Sequence, residues 1–350
     1  MRGLIFGVVA CVSGIPMKGE AKETLEEWRA LVERIEVKST KDETLQPAWA
    51  WIPAKANAEK VPLFVGLHTW SSDMNSLGHY WGPYRWCKAN DWALVCPNFR
   101  GGNDHPSACG SALAVQDVVD AINWMKSRCR IDPDRVYVMG GSGGGHMALL
   151  LAGYAPDVFA GVVAWCAISD LALWHRQVRK IPGCEDYAGM MEKSCGGSPA
   201  EKRNEYLLRS PRTWLCRARD AGVPVYIGTG IHDGHRPRGY CVPAGQSALA
   251  FNELCRPDDR LSDEDIAWID TNETVRPELA YTGADDPFYP PEARIHFRRT
   301  SANVQLTYFE GGHDCNYPAG FEWLSRQRRG RKADFSKPQP SLPEIKELMH

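Results

Sequence analysis

Residues 135–153 read RVYVMGGSGGGHMALLLAG, and the order of residue types in this stretch decides the fold. Val136-Tyr137-Val138-Met139 is a short apolar run suited to a buried strand, and 146–152 reads as a helix packed against it. Between them stands Gly140-Gly141-Ser142-Gly143-Gly144. A G-x-S-x-G arrangement puts a serine on a strained strand-to-helix turn, where flanking side chains would clash and glycine supplies the room. Ser142 is therefore expected to stand above the sheet edge. The free N–H groups and positive dipole end of the new helix point at the same spot, which suits an oxyanion formed in acyl transfer. A flexible linker is disfavoured by the tight strand on one side and the Ala/Leu helix on the other. A phosphate cradle is disfavoured too, because no Lys-Ser/Thr follows and His146 takes the last glycine position of G-x-G-x-x-G.

The flanking sequence alternates strand and helix. Residues 21–37 read as a surface helix and 45–52 as an edge strand carrying Trp49 and Trp51. A strongly apolar strand at 62–67 ends at His68-Thr69-Trp70-Ser71-Ser72. A helix at 81–90, a strand at 92–96 and a helix at 114–127 follow, the last with Val115, Val118, Val119, Ile122 and Met125 at helical spacing. Asp132-Pro133-Asp134 reads as a turn feeding the elbow strand. Beyond the elbow come buried strands at 161–166 and 223–229, a helix at 246–254 and a capping-box start at Ser262. The last strand is 304–309, followed by a closing helix at 321–328 and a basic tail. This alternation predicts an α/β fold: an open, mostly parallel sheet wrapped by helices on both faces. The stretch 171–221 lacks strand signal and is expected to be a cap over the site, inserted in one domain spanning 19–350.

A chain of 350 residues buries one large core without requiring a second. A net charge of −2 and a pI near 6.6 leave no electrostatic footprint for nucleic acid or an anionic membrane, so small or neutral partners are favoured. The 13 tryptophans are many, and exposed indoles line sugar or aromatic clefts while buried ones fill cores. The 12 cysteines form no C-x-x-C pair, so zinc and thioredoxin-like readings gain no support. Cys96 and Cys166 lie in apolar runs as core thiols. Cys184 and Cys195 flank a loop-rich stretch and are placed to pair, which requires an oxidising compartment. Residues 1–18 resemble a secretory leader, and Val8-Val9-Ala10-Cys11 resembles a lipobox with Cys11 as the lipid anchor. Export is the expectation, as a periplasmic, lipoprotein or extracellular chain, with a cytoplasmic chain as the alternative. No other stretch is long and apolar enough to span a membrane.

Serine at its free pKa is a poor nucleophile, so Ser142 needs a base in hydrogen-bond reach and the base needs an orienting carboxylate. On this architecture both arise from loops after later strands, in the order Ser, Asp, His. Asp233 follows the 223–229 strand and His313 follows the last strand in a Gly-Gly-His turn. The expected triad is therefore Ser142, Asp233 and His313, with Asp170 and Asp314 as rival acids. The oxyanion hole is expected from the backbone N–H of Gly143 with that of Trp70, or of Thr69. Thr69, Trp174 and His175 are candidates for lining the substrate pocket. No cofactor and no metal are expected. A metal-dependent hydrolase would draw on His232, Asp233, His235, His313 and Asp314, but no H-E-x-x-H helix exists and the elbow would go unexplained. A binding module on an inactive fold would make the triad positions coincidental.

With these residues in place the chain resembles the α/β-hydrolase superfamily, and within it the prolyl-oligopeptidase-like hydrolases and related esterases. The matching pieces are Pro97-Asn98-Phe99-Arg100-Gly101, the helix carrying Asp117, Ile131-Asp132-Pro133-Asp134-Arg135-Val136 leading into the elbow, Ile231-His232-Asp233-Gly234 and Glu310-Gly311-Gly312-His313. The resemblance covers roughly residues 60 to 328 and implies the fold and the triad rather than the substrate. The family includes propeller-bearing peptidases and single-domain esterases of acetylated or feruloylated carbohydrates. About sixty residues precede the first core strand, too few for a propeller of about four or more four-stranded blades. A serine hydrolase acting on a carboxylic ester is the expectation, with acetyl or feruloyl esters of carbohydrates as candidate substrates; a peptidase or amidase with the same triad is the alternative.

Overall fold

The computed structural model describes residues 25–336 apart from 236, 238 and 239, so the leader residues and Cys11 lie outside the described residues. In chain order the strands are β1 (Glu33–Lys38), β2 (Leu45–Trp51), β3 (Val61–Leu67), β4 (Ala93–Pro97), β5 (Ile131–Gly141), β6 (Gly161–Trp165), β7 (Val225–Gly230), β8 (Ile295–Ser301) and β9 (Val304–Phe309). They form one sheet in the order β1-β2-β4-β3-β5-β6-β7-β9-β8. The central run from β4 to β9 is parallel throughout, and β1, β2 and β8 add antiparallel edges. The chain is an α/β hydrolase in fold, with strands β3, β4, β6, β7 and β9 buried along their whole length because helices cover both faces.

The helices are α1 (Leu25–Leu31), α2 (Leu77–Ala89), α3 (Ala112–Arg128), α4 (Gly143–Tyr154), α5 (Leu171–Val178), α6 (Asp186–Cys195), α7 (Arg203–Leu208), α8 (Leu215–Asp220), α9 (Gly245–Leu254), α10 (Asp263–Asn272) and α11 (Tyr317–Arg326). One face of the sheet is packed by α3, α4 and α9 through Val115, Ile122, Leu149 and Phe251. The other is packed by α1, α2 and α11 through Trp28, Tyr80, Tyr84 and Phe321. A third, smaller cluster lies between α5–α7 and the loops at the sheet edge, built from Trp70, Leu171, Trp174, Met191, Cys195 and Tyr206.

Four expectations need correction. The helix read over 21–37 stops at Leu31, because Ile35 and Val37 are buried and Arg34 and Glu36 exposed, a period of two that makes β1. The turn at Asp132-Pro133-Asp134 is a bulge inside β5, where the register to β3 slips between Val61 and Leu63. Strand β8 went unseen, since the pattern IHFRRTS offers only scattered apolar positions at an edge. The excursion beyond β6 is narrower than 171–221, because α8 packs on α4 as the crossover to β7 and leaves α5–α7 as the inserted part. The tryptophans also lose their sugar-binding weight: eight of the 13 are buried and Trp268 alone is exposed.

One buried ion pair and one at the surface fix the loop after β4. Asp117 on α3 accepts from Ser39 Oγ at 2.5 Å and from Arg100 Nε at 2.5 Å, while Arg100 also reaches Asp42 at 2.8 Å. Phe99 and Arg100 hold φ of 30° and 76°, so the loop is strained and depends on this anchorage. Removing Asp117 leaves Arg100 paired only with the exposed Asp42 and takes away the acceptor of the buried Ser39 hydroxyl. Asp117→Ala is therefore expected to destabilise the fold by about 1–3 kcal/mol, measured by denaturant unfolding.

Candidate active site

Ser142 closes β5 and opens α4 with φ 57° and ψ −119°, a region a non-glycine residue occupies only when its surroundings force it. Its N–H donates to the Trp165 carbonyl at 2.9 Å and its carbonyl accepts from His146 at 2.9 Å, so both sides of the turn are pinned. A methyl group on Gly140 would lie 2.5 Å from the Gly144 carbonyl carbon, and one on Gly143 would lie 2.4 Å from the Trp70 backbone nitrogen. Larger residues there would push the elbow off the sheet. The contact at Gly143 also sets the Gly143 and Trp70 backbones side by side, the placement expected of two oxyanion donors.

The loop carrying Trp70 is held by His68, whose Nδ1 lies 2.9 Å from the Thr69 carbonyl and Nε2 2.8 Å from that of Asn98, with the ring stacked on Phe99. Asn103 N–H donates to the Trp70 carbonyl at 2.9 Å. On α4, His146 is buried with Nε2 2.7 Å from the Arg209 carbonyl, and burial pushes its pKa down to about 4. That ring is structural and neutral.

Asp233 follows β7, fully buried. Its Oδ2 accepts from His313 Nδ1 at 2.6 Å, and its Oδ1 accepts from the Gly234 and Tyr240 N–H groups at 2.9 and 3.3 Å. His313 follows β9. Burial works against its charged form, but the charge and hydrogen bond of Asp233, with the charge of Asp314, outweigh that and raise its pKa above the ordinary value. The nearest rivals are committed elsewhere. Asp170 caps α5 by accepting from Leu173 N–H at 2.8 Å and pairs with Arg212 at 3.1 Å; Asp314 accepts from Gly312 N–H at 2.7 Å.

Thr69 contributes its carbonyl to the His68 contact and sits beside the elbow. Trp174 and His175 are both buried. Trp174 is buried, packs edge-on against Trp70 at 4.7 Å and donates Nε1–H to the Cys241 carbonyl at 2.6 Å. His175 is buried against Tyr206 and meets Glu192 at 2.8 Å.

The five residues of the metal alternative do not converge. His232 is engaged by Glu273 and Glu310, and His235 by the Asp270 carbonyl at 2.6 Å. Among the described residues, the donor atoms that do cluster within 4.8 Å are those of Cys166, Asp233 and His313. Cys166 donates Sγ–H to the Asp314 carbonyl at 3.1 Å, and burial raises its thiol well above the ordinary value, which makes it a protonated packing thiol beneath the pair.

Two residues escaped the sequence reading. Tyr240 holds Asp233 through its N–H and lays its ring 5.4 Å from that of His313. Cys241 forms a disulfide with Cys184, not the expected Cys184–Cys195 pair; Cys195 is a buried free thiol. Spacing alone gave no signal, since Cys241 lies 57 residues along and only the fold brings it to the insertion. The crosslink ties the α5–α6 connection to Cys241, the residue after Tyr240. Closing a loop of that length is worth about 4 kcal/mol by chain entropy, so Cys184→Ala with Cys241→Ala is expected to lower unfolding stability by about that much.

Known proteins resemble this chain in sequence and in fold. Residues 84–235 match the prolyl oligopeptidase family, a span that carries Ser142 and Asp233 and ends before His313. Over 233 residues the chain is 28% identical to dipeptidyl aminopeptidase BIII of Pseudoxanthomonas mexicana, covering 62% of this chain and 32% of that protein. Over 111 residues it is 42% identical to poly(3-hydroxyalkanoate) depolymerase C of Paucimonas lemoignei, covering 29% and 26%. The chain thus spans a third or less of the length of these curated relatives. Among solved structures, acylaminoacyl peptidase of Pyrococcus horikoshii superposes with a TM-score of 0.55 at 14% identity, over 91% of this chain and 44% of that one, a likeness of fold. The elbow and the sheet make this chain an α/β hydrolase in fold, and its residues 84–235 resemble the prolyl oligopeptidase family.

Proposed function

We propose that the protein is a serine hydrolase that cleaves a carboxylic ester through an acyl-Ser142 intermediate. The observation that carries it is the pairing of a strained Ser142 at the head of α4 with a buried His313–Asp233 hydrogen bond at the same sheet edge. His313 takes the hydroxyl proton as Ser142 Oγ attacks the carbonyl carbon. Gly143 and Trp70 N–H groups donate to the oxyanion of the tetrahedral intermediate. As the intermediate collapses, the imidazolium passes its proton to the departing alkoxide oxygen. Water then attacks the acyl-Ser142 carbonyl with His313 again accepting the proton, and the acid leaves as Ser142 regains its hydrogen. Asp233 fixes the tautomer with Nδ1–H toward itself and stabilises the imidazolium.

The relative named as a poly(3-hydroxyalkanoate) depolymerase supports an ester bond, with the higher identity over the shorter span. The relative named as a dipeptidyl aminopeptidase, with the family match, supports the second reading, a peptidase or amidase using the same three residues. Acetylated and feruloylated carbohydrates are the ester class we would test first. The Cys184–Cys241 disulfide supports export to an oxidising compartment.

Ser142→Ala is expected to lower kcat for p-nitrophenyl acetate by about 10^6-fold and to abolish labelling by a fluorophosphonate, read by mass spectrometry. Unchanged turnover in the alanine variant would remove the nucleophile assignment. Matched acyl substrates decide the bond: strong turnover of peptidyl anilides with negligible ester hydrolysis would favour the second reading. The base works only when neutral, and its pKa is raised, so the acid limb of kcat/KM is expected above about pH 6.5. Asp233→Asn removes the main raising influence, moves that limb to lower pH and costs about 10^4-fold in kcat. A limb below pH 6.5 in the native enzyme would contradict the assignment.

A further inference from the structure

The acid and base loops are joined by more than the triad. His232, one residue before Asp233, is buried and faces a carboxylate with each ring nitrogen: Nε2 lies 2.7 Å from Glu310 Oε1 and Nδ1 lies 2.8 Å from Glu273 Oε2. Glu310, three residues before His313, accepts from His296 on β8 through its other oxygen at 2.8 Å. Burial works against the Glu310 carboxylate, yet the hydrogen bonds from His232 and His296 overcome it and hold the carboxyl below the usual range. Backbone bonds run alongside, with Ile231 N–H donating to the Phe309 carbonyl at 2.8 Å and His232 N–H to that of Gly311 at 3.0 Å.

Glu273 holds φ 53° at the end of α10, an αL position that glycine usually fills. A side chain is kept there at a conformational cost, and what it does is meet His232 and, at 3.9 Å, His235. Among the described residues, the other charged or titratable groups around this assembly are Asp270 from α10, Arg294 and His296 from the β8 side, and Asp233 and Asp314 from the two loops. None of these bonds is needed for the chemistry.

We propose that His232 and Glu310 are positioning residues, a side-chain clasp that fixes the separation of the two loops so that Asp233 and His313 meet. Catalytic groups must be held to within about half an ångström, and a misplacement of about 1 Å costs up to about 100-fold in rate. Charge-assisted bonds in a half-buried setting are suited to that task. The inference rests on the reading of Ser142, His313 and Asp233 as a hydrolytic triad.

Glu310→Gln and His232→Asn test it, alone and together, with kcat, KM, the pH profile of kcat/KM, fluorophosphonate labelling and thermal unfolding measured on the full chain. The expected result is cooperative unfolding in every variant, kcat down about tenfold with KM within about twofold, and slower Ser142 labelling in proportion. The double variant should be no worse than the weaker single one, since one clasp is broken either way. Both single variants should move the acid limb to lower pH by about half a unit, because a loosened Asp233 raises the His313 pKa less. A purely electrostatic effect would move the limb in opposite directions, since one substitution removes an acid and the other a base. That outcome, or wild-type kcat in either variant, overturns the clasp. If Glu310→Gln does not fold, His232→Asn decides alone. If the wild type itself neither turns over esters or anilides nor labels at Ser142, the hydrolytic reading fails and the clasp with it; normal wild-type labelling with unaffected variants sinks the clasp only.

Discussion

Ser142 sits in a backbone conformation that costs on the order of 1–3 kcal/mol, and everything around it is arranged to hold that conformation. Strand β5 delivers the residue with its N–H bonded to β6 through Trp165, and α4 begins on its carbonyl. Glycines let the elbow backbone lie against the backbones of Gly144 and Trp70, where any Cβ would collide. The strain is offset by the burial of α4, whose residues from Gly143 to Gly153 are all shielded between sheet and neighbouring helices. Without that burial the turn would relax and the hydroxyl would lose its fixed direction.

The other groups are placed by the same sheet. Parallel strands β3, β5, β7 and β9 end at one edge, so the loops bearing Trp70, Ser142, Asp233 and His313 converge there without further design. What the sheet does not settle is the fine position of each loop, and separate devices supply it. His68 ties down the loop after β3, the Tyr240 N–H holds Asp233 with the Cys184–Cys241 crosslink beside it in sequence, and the His232–Glu310 contact joins the loop of Asp233 to that of His313. The inserted helices α5–α7 thereby share a core with the site, through the packing of Trp174 on Trp70.

The sheet was largely legible in the sequence because its central strands are continuous apolar runs and the elbow glycines have no cheaper explanation. The loops that carry Ser142, Asp233 and His313 were legible for a related reason: each begins within a few residues of the end of such a run, so reading the strands also located the loops. Edge strands were harder. β8 carries Arg298, Arg299 and Thr300 in a row, a pattern that makes sense only once β9 covers one side of it. Contacts between segments far apart in the chain were not legible at all. Neither the Cys184–Cys241 pair nor the meeting of His232 with Glu273 and Glu310 leaves a local trace, since each is created by the closing of the sheet. The abundance of tryptophan misled for a simpler reason: composition counts indoles but does not say which way they face.

The central claim is that the elbow aims Ser142 Oγ beneath two backbone donors, with His313 positioned to move its proton. A crystal structure of the enzyme inhibited by a small fluorophosphonate tests it most directly. The account predicts phosphorus bonded to Ser142 Oγ, with one phosphonyl oxygen within about 3.1 Å of both the Gly143 and Trp70 nitrogens and the His313–Asp233 hydrogen bond intact. An adduct whose oxygen points away from both nitrogens, or one formed on any other side chain, would contradict it.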